Sequence, residues 1–158
     1  TSHFSLPIMA DGTKTIVSNK KAVYEFFLED KTEAGLVLTG SEVKSLRQGK
    51  ASLQESFCKV DDDGTMRIYN LHIAPYEMGG YANHEPRRPR VLLLKRREIE
   101  KFKKATEQKG YTIVPTRLYF KNGYAKLQIA LGKGKKLHDK RDTIAKRDMD
   151  RRLQREGR

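Results

Sequence analysis

Cysteine occurs once in these 158 residues, tryptophan never and proline five times. The single Cys58 excludes an internal disulfide and any cysteine-rich metal site. Its neighbours, Ser56-Phe57-Cys58-Lys59-Val60, read as a β-strand, where a thiol is ordinarily buried and inert. His3, His72, His84 and His138 stand at no metal-ligand spacing. Apolar runs are short as well: the longest, Val91-Leu92-Leu93-Leu94, is far from the ~20 residues of a membrane-crossing helix. The basic-then-apolar pattern of a secretory signal is missing, so a reducing, cytosolic compartment is expected. Gly132-Lys133-Gly134-Lys135 lacks the spaced first glycine and the Ser/Thr of a phosphate loop. With no nucleophile and base in sequence context, the expectation is a protein without catalysis, metal or cofactor.

What the chain has in excess is positive charge. Lys and Arg number 33 against 20 Asp and Glu, a formal net charge of +13, and the pI is near 9.9. Residues 133–158 hold eleven Lys/Arg and five Asp/Glu, which is +6 of that total and leaves +7 for residues 1–132. Both parts therefore favour a polyanionic partner. A membrane surface would need a helix with an apolar face opposite its basic one, and the C-terminal segment offers none. Nucleic acid is the better fit.

That segment divides the chain. Its only sizeable apolar residues, Leu137, Ile144, Met149 and Leu153, are spaced seven, five and four apart and form no single helical stripe. Burying four such side chains is worth roughly 1.5–3 kcal/mol each at best, against about 1–2 kcal/mol of backbone entropy per ordered residue. A disordered tail is expected in the free protein. Asp142 nevertheless precedes Lys146 by four residues and Asp148 precedes Arg152 by four, an orientation that supports a helix once a polyanion is met. A solvated tail serving solubility is the competing reading.

Residues 1–14 show no period and are expected to be a flexible leader. A short β-prone run at 15–17 follows, then a longer one at 22–29 and a third at 34–40. Ser41 is placed to cap a helix running to Gln48, with Gly49 as its stop. On that helix Lys44 and Arg47, three apart, read equally as a basic ridge or as charges on a solvated face. Strands are expected at 56–60 and 66–73 around an Asp63-Gly64 turn. The 74–90 loop mixes Tyr76, Tyr81, Asn83, His84, Arg87, Arg88 and Arg90, rings and donors suited to stacking and phosphate contact. A strand at 91–94 precedes a helix at 95–109.

Asn122-Gly123 centres a hairpin over 111–131, the dipeptide favouring a type I′ turn. A two-residue loop pairs Phe120 with Ala125, Leu118 with Leu127, Thr116 with Ile129 and Val114 with Leu131, putting the apolar residues on one face. The opposite face pairs Lys121 with Tyr124, Tyr119 with Lys126 and Arg117 with Gln128. The whole reads as mainly β. A small closed barrel of the oligonucleotide-binding (OB) type over 15–132 is expected, with two to three short helices and a disordered basic tail over 133–158. Glu33 is an odd acid in so basic a chain, either a solvated turn carboxylate or a group that accepts from base edges or aligns a neighbouring cation.

Asn19-Lys20-Lys21-Ala22, Glu33-Ala34-Gly35-Leu36-Val37-Leu38, Gly40-Ser41-Glu42-Val43-Lys44-Ser45-Leu46-Arg47, His72-Ile73-Ala74-Pro75-Tyr76, Asn83-His84-Glu85-Pro86, Leu92-Leu93-Leu94 and Gly134-Lys135-Lys136-Leu137-His138-Asp139-Lys140-Arg141 occur in this order. Together they resemble the SmpB (SsrA-binding) family from about Ile16 to the C-terminus. The resemblance implies a barrel gripping the tRNA-like domain of transfer-messenger RNA (tmRNA) and a tail that becomes helical on a stalled ribosome. Partners so implied are tmRNA, the small-subunit RNA of the decoding centre and mRNA channel, and elongation factor Tu with GTP carried by alanyl-tmRNA. Carried across by motif, Asn19, Lys20, Glu33 and Leu93 are RNA-grip positions, with Lys44, Arg47, Asn83, His84 and Arg90 as electrostatic or loop contacts. Lys135, Lys136, His138, Asp139, Lys140 and Arg141 fall near the decoding centre, His138 stacking on a ribosomal base. Val91 and Phe57 depart from the basic residue and the tyrosine that the family pattern leads one to expect. A structural ribosomal protein with a basic extension is the rival function.

Overall fold

The computed structural model describes residues 12–156. Strand β1 (Thr13–Ser18) leads through Asn19 into α1 (Lys20–Glu25) and the long β2 (Phe26–Leu36). Helix α2 (Gly40–Arg47) is followed by β3 (Ala51–Ser52), β4 (Phe57–Val60), β5 (Met66–Tyr69) and β6 (His72–Ile73). A 3-10 turn at Gly80–Ala82 interrupts the loop before β7 (Arg90–Leu93), then come α3 (Arg96–Gln108), β8 (Thr112–Lys121), β9 (Tyr124–Gly134) and α4 (Leu137–Glu156).

Seven strands form one sheet in the order β1-β8-β4-β5-β7-β2-β9, and β9 pairs in turn with β8. Six of them thus close into a ring of pairings, with β1 added to the far end of β8 beyond β4. Alternation turns Ala34, Cys58, Ile68, Leu92, Ile113, Leu118, Leu127 and Ile129 inward, where Phe102 and Ala105 of α3 and Leu46 of α2 join them. Burial among these side chains pushes the Cys58 thiol far up, so it is inert as expected.

The hairpin register holds at its tip and changes further down. Phe120 faces Ala125, Leu118 faces Leu127 and Arg117 faces Gln128 as the Asn122-Gly123 turn requires, but Ile129 faces Pro115 and Leu131 faces Ile113. One extra residue, Thr116, is accommodated between Pro115 and Arg117, so apolar positions are odd-numbered before it and even-numbered after it. Thr116 turns its hydroxyl onto the Gln128 carbonyl, 3.1 Å away.

Several boundaries differ from expectation, each for a local reason. The run at 22–29 is not one strand: the Asn19 side chain accepts from the Ala22 N–H (3.3 Å), and this cap starts α1 despite the β-prone Val23 and Tyr24. The expected strands at 22–29 and 34–40 are largely one, β2, bent by a bulge between Glu29 and Thr32 where Asp30 takes φ 54°. Thr39, not Ser41, caps α2, with Glu42 returning the bond to the Thr39 N–H at 2.9 Å. Strand β1 begins at Thr13, inside the expected leader, whose residues 1–11 lie outside the described ones. At the other end β9 runs to Gly134, pairing it with Phe26, so the body extends two residues past the expected boundary. Four α-helices stand among the described residues against the two to three expected, the fourth being the tail itself, which is helical rather than disordered chain. Asp139 Oδ2 caps that helix at the Lys136 N–H (3.2 Å), while Leu137, Met149 and Leu153 stay exposed, consistent with a segment that contributes no core.

The least expected interior feature is ionic. Glu42 and Arg90 are both 0% exposed and pair through Arg90 Nε and Glu42 Oε2. Glu42 Oε1 accepts from Arg88 Nη2 (2.5 Å) and the Thr39 hydroxyl (3.1 Å), and Arg90 also donates to the carbonyls of Leu71 (2.5 Å) and Pro86 (3.0 Å). Burial pulls the Glu42 carboxyl up, but the bonds from Arg88, Thr39 and Arg90 outweigh it and hold it below its ordinary value. Removing one partner leaves the other charge buried. Glu42→Ala is expected to destabilise the protein by about 3–5 kcal/mol, read as a fall in the urea midpoint at unchanged m-value.

Candidate RNA-binding surface

On the outside of the ring, Glu33 is the centre of a polar cluster. Its place in β2 opposite Gln128 of β9 sets it one strand away from β8. The Tyr119 hydroxyl donates to Glu33 Oε2 at 2.5 Å, and Lys121 Nζ lies 3.5 Å from the same oxygen. The Arg117 guanidinium stacks 4.3 Å from the Tyr119 ring centroid and donates to the hydroxyls of Thr13 and Thr15. Hydrogen bonding from Tyr119 is the main cause that holds the Glu33 carboxyl below its ordinary value, partial burial opposes it, and Lys121 and Lys126 add to the lowering. Glu33 thus binds Tyr119 and Lys121 through a single carboxylate oxygen. Tyr119, paired with Lys126 on the outer face of the hairpin, is only 2% exposed, and Tyr124, at 71%, is the hairpin ring that faces solvent.

Leu93 joins this face through Gly35. In β2, Glu33 and Gly35 point the same way, and Gly35 pairs with Leu93 on one side and Lys126 on the other. A Cβ at Gly35 would lie 3.2 Å from Leu93 Cβ, so the bare backbone gives Leu93 its seat, and the leucine stays 59% exposed. Lys121 and Lys126 belong to the same face and were missing from the candidate set, although the hairpin register already placed both there.

A second group is built on α2 and the 74–90 loop. Lys44 and Arg47 are exposed, and Lys44 Nζ sits 5.4 Å from the Tyr76 ring. Asn83 is an internal brace rather than a free contact: its amide accepts from the Tyr76 N–H (3.1 Å) and donates to the Tyr76 carbonyl (2.7 Å). His84 is engaged through both ring nitrogens, with Ser41 Oγ at 2.8 Å and the Ile73 carbonyl at 2.9 Å. A carbonyl can only accept, so Nε2 carries a proton and donates it to Ile73, while Nδ1 meets the Ser41 hydroxyl. Arg90 is the clear correction. It faces inward from β7 and is wholly buried on Glu42, so it has no surface to offer a phosphate.

Asn19 is likewise structural, donating to the Pro115 carbonyl (2.8 Å) while capping α1, and Lys20 stands exposed beside it on the rim of a groove of about 430 Å³ between α1, the 52–57 segment and β8. In the tail, His138 Nε2 lies 3.1 Å from Asp139 Oδ1 and Lys140 Nζ 5.6 Å from the Tyr24 ring, while Lys136, His138 and Arg141 are exposed. Lys135 is tied to the body. Among the described residues no cluster of three or more His, Cys, Asp and Glu could hold a metal ion, and no helix is long and apolar enough to cross a membrane.

A ring of strands with a lysine-rich outer face, ending in a cationic helix, is the build of a nucleic-acid-binding protein. The family model described as "SmpB protein" matches residues 16–158, and the chain belongs to the SmpB family. An SsrA-binding protein of Geobacter metallireducens is 52% identical over 142 residues, covering 90% of this chain and 92% of that protein. An SsrA-binding protein of Anoxybacillus flavithermus is 51% identical with the same coverage. A chain of a solved structure, "tmRNA-SmpB: a journey to the center of the bacterial ribosome", is similar at a TM-score of 0.64 and 45% identity, covering 77% of this chain and 85% of that one.

The Glu33 cluster has a pH signature. A carboxyl held low in the folded state adds stability that is complete above its unfolded value and is lost as pH falls through the folded one. Relative to wild type, Glu33→Gln is expected to show a shallower fall in urea stability between about pH 5 and about pH 3. Parallel pH profiles of the two proteins would remove Glu33 from that role.

Proposed function

We propose that this chain binds the tRNA-like domain of tmRNA and delivers it to stalled ribosomes for trans-translation, the tagging of the incomplete peptide and rescue of the ribosome. The match of the SmpB family model along residues 16–158 carries this reading, supported by SsrA-binding relatives of about half identity and a structural neighbour from a tmRNA-SmpB complex. In this reading the ring is a closed OB-type barrel. Leu93, Lys121, Lys126 and Tyr124 meet RNA around Glu33, and Lys44 and Arg47 supply a second row of phosphate contacts beside Tyr76. Asn19, Asn83 and His84 brace these surfaces from behind.

The C-terminal helix is the part that reads the ribosome. At about 1.5 Å per residue its 20 residues span roughly 30 Å, enough to lie along a channel vacated by mRNA. The stretch from Lys135 to Arg141, with His138, would then sit near the decoding centre. Alanyl-tmRNA would bring elongation factor Tu with GTP, and the setting is the cytoplasm. Phosphate contacts release counterions, so the grip on tmRNA should weaken steeply with salt.

Truncation after Gly134 is expected to leave tmRNA affinity nearly unchanged and to abolish tagging of stalled chains in a reconstituted translation reaction; a large loss of RNA affinity would refute the split. Lys44→Gln and Arg47→Gln should each lower the slope of log affinity against log salt by about 0.7–0.9. Glu33→Ala should weaken tmRNA binding about tenfold, the scale of one charge-assisted hydrogen bond, by releasing Tyr119 and Lys121. A stoichiometric presence on actively translating ribosomes would instead favour a structural ribosomal protein.

A further inference from the structure

We propose that Asn122-Gly123, at the tip of the β8–β9 hairpin, is a site of spontaneous covalent modification: the asparagine amide is exchanged for a carboxylate, and the RNA-facing end of the hairpin loses part of its grip. These two residues form the whole turn between Lys121 and Tyr124, with φ of 51° and 81°. Both are exposed. Gly123 has no side chain to shield its nitrogen, and a Cβ there would meet nothing within 4 Å. Lys121 and Tyr124 are the last pair of the ladder, so the Gly123 N–H lies outside it.

The other asparagines among the described residues are protected. Asn19 donates to the Pro115 carbonyl and accepts from the Ala22 N–H, and Asn83 is bonded both ways to the Tyr76 backbone. Asn70 precedes Leu71, whose side chain is wholly buried. Only Asn122 combines an exposed amide with a following glycine.

The chemistry needs water alone. Gly123 N gives up its proton to solvent and its electron pair bonds to Asn122 Cγ, closing a five-membered imide ring. The Cγ–Nδ2 bond breaks, and ammonia leaves with a proton returned by solvent. Water then adds to one of the two imide carbonyls, and Gly123 N or the freed nitrogen end of the chain regains its proton as the ring opens. Opening at Cγ yields aspartate, whereas opening at the backbone carbonyl leaves the chain running through Cβ and Cγ as isoaspartate. In either case one water is consumed, one ammonia is released and nothing is oxidised or reduced. The turn sets the pace. A type I′ turn holds the ψ of its first central residue at about +30°, which points the Gly123 nitrogen away from the side chain, so ring closure waits on opening of the tip. The end of a hairpin is among the easiest places for such local opening.

The product is ionised at neutral pH. Its carboxylate stands beside Lys121, whose Nζ lies 3.5 Å from Glu33, and two residues before the exposed Tyr124 ring. A phosphate approaching this tip would meet the wrong sign of charge. Isoaspartate also adds a carbon to the main chain of a two-residue turn, so Lys121 and Tyr124 no longer stay opposed. The loss of grip rests on the reading of this face as the tmRNA surface; the reaction itself does not.

The test keeps full-length protein in mildly alkaline buffer for days, maps its peptides by mass spectrometry and detects isoaspartate with a carboxyl methyltransferase and labelled S-adenosylmethionine. The peptide holding Asn122 is expected to convert before those holding Asn19, Asn70 or Asn83, and more slowly under saturating tmRNA. Asn122→Gly keeps a two-residue turn of positive φ without the reacting amide, so it should keep its fresh tmRNA affinity after the same treatment. Converted wild-type protein should bind tmRNA about tenfold more weakly, with a salt slope smaller by about 0.7–0.9. Fresh Asn122→Asp, which carries the charge without the lengthened chain, should show the same loss of slope. The proposal is overturned if the Asn122 peptide stays intact, if bound tmRNA leaves its rate unchanged, or if the converted protein binds as the fresh protein does. Fresh wild-type protein that fails to bind tmRNA would instead sink the functional reading, while the peptide map would still decide the modification.

Discussion

The pairing of Glu42 with Arg90 constrains more of this molecule than any single apolar contact. A charge without water must find all its partners inside, and Arg90 finds them on α2 through Glu42 and in the backbone at Leu71 and Pro86. The consequence is geometric. Helix α2 cannot shift against β7 without stranding a charge, and the 74–90 loop cannot lift from either. Arg88 adds a second cation to the same carboxylate from a half-exposed position, so the inner pair communicates with the surface through one residue. Lys44 and Arg47 are therefore mounted on an element whose orientation is decided from within.

The two sides of the ring are held by different physics. Around Glu33 the contacts are outward, short and partly solvated, and the carboxylate organises a tyrosine and lysines that already carry positive charge. Around α2 the carboxylate is inside and the cations it needs are drawn from the loop. In both places a carboxylate in a basic protein is bonded to its neighbouring cations. A polyanion meets cations whose positions were set beforehand, so less side-chain entropy is lost on binding.

Much of this was legible in the residues. The Asn122-Gly123 turn specified its register as far as Arg117, the strand-rich pattern gave the mainly β class, and both longer helices of the body fell within a residue or two of their expected limits. The misreadings lie where the backbone departs from what the apolar pattern implies. The Asn19 side chain turned a β-prone run into α1, the positive φ at Asp30 let two expected strands run on as one, and Thr116 inserted a residue that alternation cannot announce. Arg90 could not be recognised as buried because its partner is 48 residues away, and nothing near either residue signals an ion pair. Asn83 and His84 read as contacts because amide and imidazole groups suit RNA equally well, yet here they spend their bonds on Tyr76, Ser41 and Ile73.

Thr116 also sets the count of residues along β8. Because it sits between two stretches of opposite parity, Ile113 and Pro115 face inward on one side of it and Leu118 and Phe120 on the other. Losing that one residue would close the bulge and leave plain alternation, with Leu118 still opposite Leu127, Phe120 opposite Ala125, and both still facing inward. Losing a second residue would turn everything beyond it to the other face. Thr116 is thus the one place where this strand can shorten by a single residue, and a fold built from smooth curves carries within it one rule that is purely arithmetic.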